Sequence, residues 1–152
     1  MKSTSRIARA IAFAVVLASL AWLAGCLGAK QTWTAQPVAT SEVRITPQEV
    51  YRRKDRLFVR VTLTNLTGEN ITVDRDGISL QLEGGPVLGR SAGMTTQHNV
   101  YTIIPNGAHA VFVDFRDEGI DDATSAASVI WKGAVHAGAR ELAIPPTPVR
   151  AR

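Results

Sequence analysis

Residues 56–65 read Arg-Leu-Phe-Val-Arg-Val-Thr-Leu-Thr-Asn. Leu57, Val59, Val61 and Leu63 alternate with Arg60, Thr62 and Thr64. A period of two puts the apolar set on one face of a half-buried strand and the polar set on the other. Phe58 stands on the otherwise polar side and predicts a second packing surface or an edge there.

The same signature extends in both directions. Upstream, residues 42–46 alternate through Val43 and Ile45 as far as Pro47. A proline cannot donate to a strand ladder, so it predicts a break or an edge. Downstream, short apolar runs at 71–73, 78–82, 100–104, 108–115, 128–135 and 141–144 read as further strands. Their separators are turn chemistry: Asn65-Leu66-Thr67-Gly68, Asp74-Arg75-Asp76-Gly77, Glu83-Gly84-Gly85-Pro86 and Pro105-Asn106-Gly107. Beyond Cys26 no segment repeats apolar residues at i, i+3, i+4, i+7 over helical length, and 121–128 reads as one helical turn capped by Asp121 or Asp122.

Seven or eight short strands with turns this frequent predict an all-β domain over 42–144: a two-sheet antiparallel sandwich, Ig-like in architecture. Trp131 is the expected large core aromatic, and the lone cysteine excludes an inter-sheet disulfide. Residues 26–41, rich in Thr, Ala and Gln, read as a tether that holds the domain off a bilayer. At 145–152, Pro145, Pro146 and Pro148 remove backbone donors, predicting an exposed tail outside any central strand.

The 152 residues carry 17 Lys+Arg against 13 Asp+Glu. Lys2, Arg6 and Arg9 lie before the first apolar run, and from Cys26 onward there are 14 cations and 13 carboxylates. The basicity thus belongs mainly to the leader, and the remainder gives no charge argument for a nucleic-acid partner. Residues 1–9 hold three positive charges and no negative one, and residues 10–29 then run uncharged, the pattern of an export signal. Within that run stands Leu23-Ala24-Gly25-Cys26: an aliphatic residue, two small residues and the chain's only cysteine. This motif resembles the lipobox of bacterial lipoproteins.

The resemblance implies that residues 1–25 are a signal peptide, with Leu23, Ala24 and Gly25 recognised by the signal peptidase. Cys26 would then carry a covalent diacylglycerol and an N-acyl lipid, and no other cofactor is expected. It implies a membrane-anchored, extracytoplasmic protein. In a host with two membranes, Leu27 in place of the inner-membrane retention aspartate favours the outer membrane, facing the periplasm. The stretch Phe58–Asn65, the Ile-Ser-Leu-Gln-Leu run and Pro105-Asn106-Gly107 before Val-Phe-Val-Asp-Phe are similar to small Ig-like modules of bacterial lipoproteins. That likeness transfers a fold and no catalytic residue.

Chemistry-bearing side chains are sparse. Gly89-Arg90-Ser91-Ala92-Gly93 matches G-x-S-x-G, with His136 available later in the chain. The elbow needs a strand, a sharp turn and a helix on a mostly parallel sheet, which this pattern does not provide, so Ser91 reads as loop and stays a weak catalytic candidate. His98, His109 and His136, with Met94 near His98, are weak metal candidates without local ligand spacing. Asp74 with Asp76, and Asp117, Glu118, Asp121 and Asp122, offer the oxygen ligands Ca²⁺ takes, but in patterns that read better as a hairpin turn and a solvated loop.

The run Arg52-Arg53-Lys54-Asp55-Arg56 is the densest in charge, and Arg52, Arg53, Lys54 and Arg56 form the candidate interaction patch. The loop 84–99 is the longest connection and a second place for a binding surface. The expected function is a lipid-anchored, non-catalytic envelope protein that meets the membrane through its anchor and an envelope protein through its sandwich. A small-ligand or metal-binding lipoprotein is the alternative, and a serine hydrolase on Ser91 the third reading.

Overall fold

The computed structural model describes residues 29–91 and 98–152; the expected signal peptide at 1–25, Cys26 with its expected lipids, and Met94 lie outside the described residues. The alternation at 56–65 becomes β4 (Arg56–Asn65), paired along its length with β3 (Val43–Arg53) on one side and β9 (Ala108–Arg116) on the other. Leu57, Val59, Val61 and Leu63 are buried to within 1% of complete. β4 lies between two neighbours, so Phe58 marks a second packing surface and no edge. Its ring stacks on Tyr51 at 4.7 Å and faces Phe112 at 6.2 Å, on the outward side of the sheet.

Around this unit lie β1 (Gln31–Ala35), β2 (Val38–Ala39), β6 (Ser79–Leu82), β7 (Val87–Gly89), β10 (Ala126–Ile130) and β13 (Thr147–Ala151). They form a sheet in the order β7-β6-β10-β13-β1-β3-β4-β9, with β2 beside β3. A four-stranded sheet stacks β12 (Arg140–Glu141), β11 (Val135–Ala137), β5 (Ile71–Asp74) and β8 (Val100–Ile103) in that order. Every strand pair among the described residues is antiparallel. The fold is the expected all-β, two-sheet sandwich, curled, with one continuous core that includes Trp33, Ile45, Ile78, Leu80, Phe115, Trp131 and Leu142.

Both ends of the domain extend further than expected. β1 and β2 arise inside the segment read as tether, because Trp33 is buried at 3% exposure and its strand pairs with β3 and β13. The tail does not hang free: β13 is a central strand between β10 and β1. Pro145 and Pro146 precede it, and Pro148 sits within it opposite Ser128, its carbonyl accepting from the Gln36 amide at 3.2 Å. Burial of Thr147 and Val149 outweighs the one donor that Pro148 lacks.

Pro47 keeps its local edge character inside β3. β2 pairs with residues 44–45 and β1 with 50–52, so Pro47 falls between them, at the irregularity that separates Pro47 from Glu49 in the pairing with β4. The run at 128–135 is broken in two, β10 in one sheet and β11 in the other. The chain reverses there through Gly133, whose φ is +76°. Residues 121–128 form an Asp-centred turn leading into β10, with no helical turn: Asp121 Oδ1 accepts from the Ala123 and Thr124 amides at 2.9 and 3.1 Å.

The Asp74–Gly77 stretch is no hairpin either. A 3-10 turn at Arg75–Gly77 carries the chain from β5 in the small sheet to β6 in the large one, and Asp74 accepts from the Asp76 amide at 2.9 Å. A side chain at Gly77 would put its Cβ 2.8 Å from the Gly133 carbonyl oxygen, so this crossing needs glycine.

Candidate functional site

The β3–β4 connection places the predicted cationic patch at one end of the sandwich. Lys54 turns the chain with φ +52°, and register sets Arg53 opposite Arg56 and Arg56 opposite Arg116. The four patch residues then part company. Arg52 points inward and is 8% exposed: its Nε donates to Gln31 Oε1 at 2.8 Å, Nη1 to the Lys54 carbonyl at 2.8 Å, and Nη2 pairs with Asp122. Arg56 is half-buried, 3.6 Å from the Asp114 carboxylate. Arg53 and Lys54 are exposed. The patch is thus two exposed cations beside two structural ones. Asp55 pairs with Arg116 at 2.7 Å, which holds its carboxyl below the usual carboxylate range.

The Ser91 region gathers more polar side chains than its sequence announces. Phe112 and Asp114 belong to β9, an edge of the large sheet. The Ser91 amide donates to the Asp114 carbonyl at 2.8 Å, and Arg75 Nη2 donates to the Phe112 carbonyl at 2.5 Å. Two carbonyls of that edge are therefore covered, and β7, the opposite edge, leads directly into the covering segment. Arg75 is fully buried, and that desolvation lowers its guanidinium pKa, with Tyr101 and Asp114 close enough to oppose the effect. Arg90 braces the 3-10 turn through Asp76 and Asn99. Burial raises the Tyr101 phenol above its ordinary pKa, and its ring packs 4.5 Å from His109.

Ser91 Oγ and Tyr101 Oη are buried and make no hydrogen bond among the described residues, so no histidine partners Ser91. The strands on either side are antiparallel, and β8 is the next described element after Ser91. His136 lies in β11 beside Thr72 and Glu141, His109 in β9, and the exposed His98 just ahead of β8; the stretch 84–99, expected as one long loop, contains β7, because Val87–Gly89 pairs with β6. No group of three His, Cys, Asp or Glu among the described residues could hold a metal ion. Asp74 and Asp121 serve as turn caps, Asp76 as an ion-pair partner of Arg90, and Asp122 of Arg52.

Sequence reasoning missed Arg75, Tyr101 and Arg90. The D-R-D-G pattern marks a reversal of the chain and is silent about the arginine in it, since burial there depends on Phe112 of β9 arriving from 37 residues away. Asn65, expected as a turn residue, is buried, and its amide donates to the Glu69 and Ile103 carbonyls while its oxygen accepts from the Thr67 amide and hydroxyl.

No family model and no curated protein matches the sequence. Among solved structures, the chain is similar to the yjhA protein from Bacillus subtilis, with a TM-score of 0.48 and 14% identity, over 61% of this chain and 76% of that one.

Proposed function

We propose that this chain is a lipid-anchored protein of the cell envelope whose sandwich domain acts without catalysis, in protein interaction or envelope assembly. The observation that carries the reading is Leu23-Ala24-Gly25-Cys26 within an uncharged twenty-residue run that follows Lys2, Arg6 and Arg9. Two or more acyl chains on Cys26 would give stable attachment, which a single chain does not. With Leu27 after the cysteine, the outer membrane facing the periplasm is the favoured location in a host with two membranes.

Anchoring at Cys26 has a geometric consequence. β1 begins at Gln31, five residues on, a span of at most about 18 Å at roughly 3.5 Å per residue. The domain therefore rests close to the headgroups, with no long tether to lift it. Gln31 is registered with Arg52, so the β3–β4 tip lies at the same end as the anchor.

Intact mass on protein from the native membrane fraction tests the reading. Wild type is expected to begin at residue 26 with added acyl chains, and Cys26→Ser to lack them. An unmodified chain that retains residues 1–25, or one cut elsewhere without lipid, would refute it.

A further inference from the structure

The charge of the described residues is nearly balanced, 14 cations against 13 carboxylates, but it is not evenly spread. The outward face of β13, β1, β3, β4 and β9, with Lys30 just ahead of β1, carries Lys30, Arg44, Arg53, Arg56, Arg60, Arg116 and Arg150 against Glu49 and Asp114, net +5. The other seven cations and eleven carboxylates make the rest of the domain net −4. The two acids on the face are already engaged, Glu49 with Lys30 and the buried Asp114 with Arg56.

Arg44, Arg53, Arg60 and Arg150 are exposed and form no ion pair or side-chain hydrogen bond among the described residues. Elsewhere Arg52, Arg90 and Arg140 each hold a carboxylate. Protection of a sheet edge does not account for this, because β3, β4 and β13 are interior strands.

Across the centre runs a column of rings, Tyr51 on Phe58 and Phe58 toward Phe112, closed at its far end by the Lys30 ammonium 4.3 Å above Tyr51. Phe58 is flanked by Tyr51 and Phe112, and Tyr51 by Phe58 and Lys30, so neither ring offers a free platform for a sugar to stack on. Arg with Tyr and Phe, and few Lys, is the composition of protein–protein contact surfaces, and a net positive face of that make-up fits an acidic protein. Five strands at about 4.8 Å spacing, averaging eight residues at about 3.3 Å each, give a face of roughly 650 Å², near the ~800 Å² per partner of a standard interface.

We infer that the outward face of β13-β1-β3-β4-β9 is the docking surface for an acidic protein, read by unpaired arginines around the Tyr51–Phe58–Phe112 column. This deepens the interaction half of the proposed function and does not depend on the lipid.

The test uses the full chain in neutral detergent, as wild type and as Cys26→Ser, so that a failed anchor and a failed docking face give different results. The probes are poly-L-glutamate, polygalacturonate of matched charge density and phosphatidylglycerol vesicles. Poly-L-glutamate is expected to bind best, with amide shifts confined to the five strands and equal affinity for both chains. Arg60→Glu should weaken it at least fivefold. Lys132→Glu, the same charge change off the face, should weaken it less than twofold, with melting temperatures verifying that both variants fold. Equal weakening by the two variants, shifts outside these strands, no binding of poly-L-glutamate, or preference for the vesicles or the polygalacturonate would each overturn the assignment.

Discussion

Removing residues 147–152 should abolish folding. β13 is registered with β10 at four positions and with β1 at three, so its loss would split the large sheet in two and leave β10 and β1 each unpaired on one side. Val149 is fully buried and contributes about 1.5–3 kcal/mol by burial alone. Thr147 Oγ1 accepts from Trp131 Nε1 at 2.9 Å in the core, and a buried donor deprived of its acceptor costs about 1–3 kcal/mol. Lost ladder bonds at a net ~1 kcal/mol each bring the total into the range of the whole stability of a domain, about 5–15 kcal/mol.

Two graded variants separate the contributions. Val149→Ala should cost about 2–3 kcal/mol from lost methyl groups and the cavity left behind. Thr147→Val, which keeps the shape and removes the acceptor, should cost about 1–2 kcal/mol. Urea denaturation followed by tryptophan fluorescence and circular dichroism measures all three. A truncated chain that melts cooperatively within a few degrees of wild type would refute the reasoning, and would return 145–152 to the exposed tail that its prolines suggest.

Arg75→Met should destabilise the domain by about 2–4 kcal/mol, since it uncovers the Phe112 carbonyl at the β9 edge and leaves Asp114 without a buried cation nearby; an unchanged denaturation midpoint would mean that the arginine does not brace the sheet. At the surface, the Arg116 guanidinium lowers the Asp55 pKa and the Arg140 guanidinium lowers that of Glu42, so both pairs contribute fully above the ordinary carboxylate range near pH 4 and lose their contribution as pH falls through the lowered values. Carboxyl-carbon NMR should find Asp55 titrating below that range in wild type and moving back toward it in Arg116→Gln; an ordinary value in wild type would contradict the pairing.

How much was legible in the sequence follows from the range of the interaction that decides each feature. Strand β4 was legible because its alternation, Leu57 to Leu63 against Arg60 to Thr64, is a local pattern that states which face goes inward. So was the turn chemistry at Gly84 and Asn106, both of which adopt positive φ, and so was the all-β class. The candidate patch was half legible: the run at 52–56 gave the charges, and only register revealed that Arg52 turns inward to Gln31 and Asp122 while Arg53 faces out beside Arg56 and Arg116.

By itself, then, the sequence determined the strand-forming core, the Leu23-Ala24-Gly25-Cys26 pattern on which the proposed anchor rests and the near-neutral charge beyond Cys26, all of them properties of neighbouring residues. The tertiary structure decided where the ends go. Residues 31–35 and 147–151 have weak or contrary local signals, and they become strands because each supplies the partner that the other, β3 and β10 require. It also decided that Arg75 is buried and that six arginines share one face, since both depend on which strands meet across the sheet and no spacing along the chain encodes that.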